Sequence, residues 1–195
     1  MQEQRDPKYY WLETCEVKLA HLPFDGWILD IGGGGEGVIG QLMGSQVVAI
    51  DRRMEELEEA TPGPLKIVMD AGDLQFLDET FSAITAFFCL MYIREEESLR
   101  MILREAYRVL KPGGQLWVWD ASIPKREGIT QEVFVVPVQI ELPGGKRIET
   151  GYGQLWPKDV RDGNYYERLA AEVGFESVSL EEGDAQMMIK FMKPV

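Results

Sequence analysis

The feature that most constrains the fold of this chain is an apolar stretch that runs directly into a glycine-rich segment. Residues 28–31 read Ile-Leu-Asp-Ile, and five of the next six residues are glycine. Glycine permits positive φ angles and lets a ligand approach the backbone without a Cβ in the way. A simple turn does not need so many glycines, because each one adds to the entropy lost on folding. The segment therefore predicts a strand, a ligand-binding loop and a helix, in that order.

After this segment, short apolar runs alternate with amphipathic stretches, and there is no internal repeat or linker. Such alternation predicts an α/β fold with a parallel sheet, in a single domain over residues 1–195. The predicted strands are 27–31, 46–50, 65–69, 82–89 and 115–120. The predicted helices are 36–43, 53–60 and 95–109.

The last third of the chain departs from this alternation. Residues 133–142 and 147–153 flank a Pro143-Gly144-Gly145 turn, which predicts a hairpin of about residues 130–153 inserted into the fold. A helix at 163–173 and strands at 175–181 and 186–192 follow. The connection between these two strands is so short that they must be antiparallel.

The N-terminal segment 7–22 is predicted to be a helix that ends before Pro23. Trp11, Cys15, Leu19 and Leu22 are spaced to share one helical face. We expect this helix and the inserted hairpin to cover the site in which a reaction partner binds.

The composition excludes several classes of protein. The net charge of −13, from 20 Lys and Arg against 33 Asp and Glu, argues against a nucleic-acid partner, because phosphate binding needs a basic surface. No apolar run approaches the ~20 residues that span a bilayer, and the N-terminus lacks the pattern of a signal peptide. We therefore expect a cytoplasmic protein without a membrane partner. His21, Cys15 and Cys89 are too few and too scattered to predict a metal site.

Two adenosine-containing ligands compete for the glycine loop. Gly32, Gly34 and Gly37 satisfy the dinucleotide pattern G-x-G-x-x-G, and Asp51 follows Gly32 by about 20 residues. On this pattern alone, NAD and S-adenosylmethionine (SAM) both remain candidates, and an NAD-dependent oxidoreductase is one alternative function.

Acidic residues beside the loop favour SAM. Asp30 precedes the glycines, and Glu36 stands at the helix entrance. Carboxylates at these positions would repel a pyrophosphate, whereas they would attract the ammonium and sulfonium groups of SAM.

Two further acids follow predicted strands. Asp51 is placed to accept hydrogen bonds from two ribose hydroxyls, although it can also cap the next helix. Asp70 is followed by Ala71 and Gly72 and can accept from an adenine amino group, or simply form a turn.

These motifs resemble those of the class I SAM-dependent methyltransferases. The resemblance runs from Trp27 to Asp120 and rests on the segments 29–34, 50–51, 70–71, 87–92 and 108–116. It implies a Rossmann-like, mainly parallel sheet of seven strands in the order 3-2-1-4-5-7-6, with strand seven antiparallel and helices on both faces. It also implies that SAM is the cofactor, that S-adenosylhomocysteine is the product, and that backbone groups near Gly32 and Phe88 hold the methionine end. The predicted cofactor-binding residues are Asp30, Gly32, Gly33, Gly34, Asp51, Arg52, Asp70, Ala71, Phe88 and Cys89.

Methyl transfer is an in-line displacement, so positioning can supply much of the catalysis. Asp120, at the end of a predicted strand, is the candidate general base, and Tyr92 is the candidate for orienting the acceptor. Each has an alternative role, Asp120 as a turn-forming acid and Tyr92 in packing. His21 is a weaker candidate base.

The acceptor is predicted to be a small molecule, neutral or cationic, with a protein side chain as the second choice. Tyr152 and Trp156 are candidate walls of its pocket. A SAM-binding protein without methyltransferase turnover is a further alternative.

Overall fold

The structure, a computed structural model, describes residues 6–183 and 185–195. Over these residues the chain forms strands, helices and three short 3₁₀ turns. In chain order the strands and helices are β1 (Tyr10–Trp11), β2 (Cys15–Lys18), β3 (Ile28–Ile31), α1 (Val38–Met43), β4 (Val47–Asp51), α2 (Met54–Glu59), β5 (Leu65–Val68), β6 (Phe81–Phe87), α3 (Glu96–Val109), β7 (Leu110–Ala121), β8 (Val133–Glu141), β9 (Arg147–Leu155), α4 (Gly163–Val173), β10 (Glu176–Glu182) and β11 (Gln186–Met192).

Seven strands form a central sheet in the order β5-β4-β3-β6-β7-β11-β10. Numbered along the chain, these strands have the order 3-2-1-4-5-7-6. β11 is antiparallel to both of its neighbours, and the other pairs in this sheet are parallel. The parallel strands end at one edge, where ligands bind in open α/β sheets. The predicted α/β fold class is confirmed.

The helices pack on opposite faces of this sheet. α1 and α2 bury apolar side chains on one face, whereas α3 and α4 do so on the other. In α3, five apolar residues recur at helical spacing and are buried, as the sequence predicts: Leu99, Ile102, Leu103, Ala106 and Val109. α4 begins where the side chain of Asp162 accepts from the Tyr165 backbone N–H, and it ends at Gly174, which has a positive φ.

The N-terminal helix predicted for residues 7–22 is wrong. The structure places strands there, and β1 and β2 both run parallel to β8. In β2, Cys15 and Val17 are buried while Glu16 and Lys18 are exposed, which is the two-residue period of a strand. Pairing with a distant strand therefore overrides the helical spacing of the apolar residues in this segment.

The predicted hairpin is confirmed, with boundaries at 133 and 155. β8 and β9 are antiparallel, and a turn at Pro143–Gly145 connects them. With β1 and β2 they form a second sheet of four strands. Alternate residues of β8 are buried in the same core as α1, and they are Phe134, Val136, Val138 and Ile140. The second sheet thus lies on the α1 face of the central sheet.

Among the residues that the structure describes, no helix combines the length and the apolar character needed to cross a bilayer.

Candidate active site

A cavity of about 1070 Å³ opens at the edge where β3, β4 and β6 end. The segments that follow these strands form its floor, and part of β9 forms one wall. All the residues that the sequence predicts to bind the cofactor line this cavity: Asp30, Gly32, Gly33, Gly34, Asp51, Arg52, Asp70, Ala71, Phe88 and Cys89. Tyr92, one of the two candidate catalytic residues, also lines it.

The glycine loop is tightly packed against its neighbours. A Cβ on Gly34 would lie 2.5 Å from the Glu56 Cβ in α2, and one on Gly33 would lie 2.6 Å from Oδ2 of Asp30. Gly32 has a φ of +71°. The backbone N–H of Gly35 donates to the Glu56 carbonyl at 2.8 Å. Packing alone therefore requires glycine at several of these positions. From the sequence, the need for glycine is expected to come from a bound ligand.

Asp30 is an almost completely buried carboxylic acid at the cavity floor. Its side chain is 2% exposed, and the hydroxyl of Thr85 donates to Oδ1 at 2.7 Å. Burial raises the pKa of Asp30 to about 7, against the opposing effect of the Thr85 hydrogen bond. A cationic ligand group at this position would favour the ionised form, since an opposite charge lowers the pKa of an acid.

The two strand-end acids make the local contacts of turn residues while lining the cavity. Asp51 accepts from the Arg53 backbone N–H at 2.9 Å through Oδ1. Asp70 accepts from the Gly72 backbone N–H at 2.8 Å, and its Oδ2 lies 3.5 Å from Nε of Arg52. Each acid has a second oxygen or free lone pairs, so these contacts are compatible with ligand binding.

The residues after β6 have an unusual backbone. Phe88 has a φ of +47°, which is uncommon outside glycine, and its N–H donates to the Trp119 carbonyl at 2.8 Å. The Cys89 thiol donates to the Ile31 carbonyl at 3.0 Å. Burial, together with nearby acids, raises the pKa of the Cys89 thiol well above its usual value, so this thiol is protonated at neutral pH. Residues held in strained conformations cluster at functional sites.

β9 supplies the wall opposite this strained segment. The carboxylate of Glu36 accepts from the hydroxyls of Thr150 and Tyr152, the latter at 3.0 Å. The Tyr152 ring stacks on Phe88 with 5.8 Å between ring centroids, and it meets Tyr92 edge-on at 6.5 Å. Burial is the main cause that raises the pKa of Tyr92 to about 12 and that of Tyr152 further. The sequence predicts Tyr152 as a pocket wall, but no sequence signal indicates its hydrogen bond with Glu36.

The structure does not support the prediction of Asp120 as a general base. Asp120 is fully buried and is not among the residues that line the cavity. Its oxygens accept from the backbone N–H groups of Met91 and Ala121 and from the Tyr166 hydroxyl. A general base must reach the proton that it removes, and this carboxylate faces the protein interior.

Two weaker candidates also lie elsewhere. His21 lines a second cavity of about 690 Å³, on the other side of Phe88. Trp156 is buried between Tyr10 and Phe134, and its indole N–H donates to the Gln131 carbonyl at 3.1 Å.

The sequence analysis also misses polar and apolar residues that complete the first cavity. They come from α2, from the end of β5 and from α3, and they include Glu56, Met69, Ser98, Met101 and Ile102. Their spacing in the sequence indicates only which face of a helix or strand each residue occupies. It does not show that they line one cavity, because that depends on how these elements pack.

This architecture defines a class of protein. A seven-stranded sheet of this order, with an acid near the end of its first strand, glycines directly after that strand and a further acid at the end of its second, is the architecture expected of class I SAM-dependent methyltransferases. Comparison with solved structures shows the same fold. The chain is similar to a SAM-dependent methyltransferase of Methanosarcina mazei, with a TM-score of 0.63 and 20% identity, over 90% of this chain and 95% of that chain.

Residues 29–118 match the family described as a methyltransferase domain. The chain thus has the fold of the class I SAM-dependent methyltransferases, and its residues 29–118 match the methyltransferase-domain family. These findings support the prediction of SAM as the cofactor.

Two curated relatives are demethylmenaquinone methyltransferases. The one from Tropheryma whipplei (strain Twist) is 47% identical over 55 residues, which are 28% of this chain and 22% of that protein. The one from Bacteroides fragilis is 34% identical over 116 residues, 56% of this chain and 45% of that protein. The chain therefore spans less than half the length of either relative.

Proposed function

We propose that this protein transfers the methyl group of SAM to a small-molecule acceptor and releases S-adenosylhomocysteine. The observation that carries the proposal is that one cavity joins two different surfaces. One end holds the glycines and the acids at or just beyond the ends of β3, β4 and β5, and the other end is walled by the rings of Phe88, Tyr92 and Tyr152. The end lined by acids and glycines suits a charged nucleoside, and the aromatic end suits a methyl acceptor.

The cofactor fits the acid-lined end by charge and by hydrogen bonding. Asp30 would bind the ammonium group, because a buried carboxylate gains most from a cationic partner. Asp51 would accept from the ribose hydroxyls, and Asp70 from the adenine amino group. Met101 and Ile102 of α3 offer apolar contacts to the adenine ring.

When bound, SAM would supply an electrophilic methyl carbon: an acceptor electron pair forms a bond to it in line with the sulfur, the C–S bond breaks, and S-adenosylhomocysteine leaves as a neutral thioether. The residues of this chain act by positioning and by excluding water. Tyr92 and Tyr152 border the place where an acceptor would lie, and with Phe88 they form an aromatic wall. Such a wall keeps water from competing as a nucleophile.

The acceptor that we propose is a small aromatic molecule. Three aromatic rings in the wall favour offset stacking on a planar ligand. The names of the two curated relatives point to a quinone-type acceptor, and its reduced quinol form is an aromatic molecule that can act as the nucleophile. The net charge of −13 opposes a nucleic-acid acceptor.

The first test is calorimetric titration of the purified protein with SAM, S-adenosylhomocysteine and NAD in parallel. We expect the two adenosyl ligands to bind and NAD not to bind. Binding of NAD alone would support the oxidoreductase alternative and reject the proposal.

Turnover needs a separate measurement, namely transfer of a labelled methyl group from SAM to a panel of quinols and other phenols. Transfer that depends on Tyr92 and Tyr152 is the expected result. Binding of SAM without transfer to any member of the panel would favour the alternative of a SAM-binding protein without turnover.

A further inference from the structure

Residues 90–94, which carry Tyr92 to the cavity, have few backbone contacts of their own. They follow the strained Phe88 and form a single 3₁₀ turn over Leu90–Tyr92. Within this turn the N–H of Tyr92 donates to the Cys89 carbonyl at 3.2 Å, and that of Ile93 to the Leu90 carbonyl at 3.0 Å. Besides these two bonds the segment is held by side chains: its own Leu90 and Met91 are buried, and polar groups from elsewhere bind its remaining backbone groups.

A buried acid holds the first half of this segment. Oδ2 of Asp120 accepts from the Met91 backbone N–H at 2.9 Å and from the Tyr166 hydroxyl at 3.3 Å. Oδ1 accepts from the Ala121 backbone N–H at 2.9 Å. The carboxylate thus connects the 3₁₀ turn to the end of β7 and to α4.

A buried cation holds the second half. Arg161 is 3% exposed, and its Nη2 donates to the carbonyls of Ile93 at 3.2 Å and Arg94 at 2.9 Å. The guanidinium lies 4.3 Å from the centroid of the Tyr165 ring. Among the described residues no carboxylate lies within ion-pair distance of it, and its Nη1 has no hydrogen-bond partner.

Burying these two ionisable groups is expensive, because each loses its hydration and they form no direct ion pair with each other; burial raises the pKa of Asp120 to about 7. Replacing such charges by apolar residues is often neutral or stabilising in proteins. Both groups nevertheless direct their hydrogen bonds at the same short segment. Asp120 binds the residue before Tyr92, and Arg161 binds the two residues after it.

We propose that Asp120 and Arg161 are positioning residues that clamp residues 90–94 and so fix the Tyr92 ring beside the acceptor. Tyr166 completes the clamp by donating to Asp120. This inference rests on the proposed function, since it assigns Tyr92 to the acceptor end of the cavity. The clamp also holds residues 90–94 in the ligand-free protein, so its effect on them can be measured without a cofactor or an acceptor.

The test compares Arg161→Met with Arg168→Met by hydrogen–deuterium exchange of the ligand-free protein. Arg168 is a matched control, because its guanidinium faces the same Tyr165 ring at 5.4 Å but pairs with Glu96 and Glu172. We expect Arg161→Met to speed exchange of the 91–94 amides by about tenfold or more. The amides of the α3 core should exchange as in the wild type, and Arg168→Met should leave both regions unchanged.

Two milder variants guard against loss of folding. Tyr166→Phe removes only a hydroxyl and should loosen residues 90–94 by a smaller factor, whereas Arg161→Lys should restore part of the protection. The ring itself is followed by ¹⁹F NMR of 3-fluorotyrosine protein, with the Tyr92 signal assigned by its absence in Tyr92→Phe. We expect that signal to broaden or split in Arg161→Met and to stay single in Arg168→Met.

Unchanged exchange and an unchanged Tyr92 signal in folded Arg161→Met and Tyr166→Phe would overturn the clamp. An equal increase of exchange in residues 90–94 and the α3 core would also overturn it, because that result indicates general destabilisation. Failure of the wild type to bind S-adenosylhomocysteine would instead reject the proposed function, whatever the exchange data show.

Discussion

The carboxylate of Glu36 accepts a hydrogen bond from the Tyr152 hydroxyl at 3.0 Å, across 116 residues of sequence. Glu36 belongs to the glycine loop at the acid-lined end of the cavity, and Tyr152 belongs to β9 of the second sheet. This contact therefore ties the two ends of the cavity together. The Tyr152 ring also stacks on Phe88, so the second sheet rests on the strained segment as well.

Loss of this contact should loosen the second sheet without removing the cofactor site. Tyr152→Phe keeps the ring on Phe88 and deletes only the hydroxyl, so we expect a loss of about 1 kcal/mol in the free energy of unfolding. Glu36→Ala, which removes both acceptor oxygens, should cost at least as much. A double-mutant cycle by urea denaturation measures the coupling between the two, which we expect to be about 1 kcal/mol. Additive effects of the two changes would show that the contact contributes nothing.

Gly34 cannot accept a side chain without movement of α2. A Cβ there would lie 2.5 Å from the Glu56 Cβ and 3.0 Å from the Glu56 backbone carbon. We expect Gly34→Ala to destabilise the protein by about 1–3 kcal/mol and to weaken S-adenosylhomocysteine binding, measured by thermal unfolding and calorimetry.

Gly153→Ala is the matched control for Gly34→Ala. A Cβ at Gly153 has no contact closer than 3.9 Å, and its backbone requires no positive φ. This variant should stay within about 0.5 kcal/mol of the wild type. Equal effects of the two alanines would contradict the packing argument.

The central sheet and its helices are predictable from the sequence because their signals are local. The apolar spacing of α3 and the apolar runs of β3, β4 and β6 indicate the correct elements, to within a few residues. The cofactor end of the cavity follows as well, since the motifs lie directly after strands whose ends meet at one edge.

The rest depends on contacts between distant segments. β1 and β2 become strands because β8 offers partners more than 100 residues away, whereas their apolar residues have helical spacing by coincidence. Asp120 occupies a strand end, like Asp51, but α4 covers it with Tyr166. No local pattern distinguishes a strand-end acid that faces the cavity from one that a later helix buries.

The ribose role of Asp51 predicts a specific loss of affinity. Removing an acceptor of two hydroxyl hydrogen bonds should cost about 1–3 kcal/mol of binding free energy for S-adenosylhomocysteine in Asp51→Ala. Asp51→Asn is the control for the loop, since its amide oxygen can still accept from the Arg53 N–H. We expect calorimetry to give an intermediate affinity for Asp51→Asn. Unchanged affinity in a folded Asp51→Ala would reject the ribose role.

The raised pKa of Asp30 predicts how the stability of the ligand-free protein depends on pH. Burial raises this pKa from 3.8 to about 7, so folding favours the protonated acid. The resulting contribution to stability is complete below about pH 4 and is lost as the pH rises through 7. Asp30→Asn removes the contribution of Asp30, whereas that of Asp120, whose pKa burial also raises to about 7, remains in both proteins. The variant should be more stable than the wild type above pH 7, by up to about 4 kcal/mol.

Urea denaturation of both proteins at pH 5 and pH 8 checks this expectation. The exposed Asp25 supplies the control Asp25→Asn, which should follow the wild type at both values. A stability difference between wild type and Asp30→Asn that does not change with pH would contradict the raised pKa.

The same acid predicts that SAM binding is coupled to proton release. Near pH 6 most of the ligand-free protein carries a protonated Asp30, whereas an ammonium partner favours the carboxylate. Binding at that pH should therefore release close to one proton, and affinity should rise on the order of tenfold between pH 6 and 7.5. Calorimetry in two buffers of different ionisation enthalpy measures the released proton. Asp30→Asn should bind SAM more weakly, without this pH dependence. Equal affinity of the two proteins at pH 7.5 would show that Asp30 does not hold the cationic end of the cofactor.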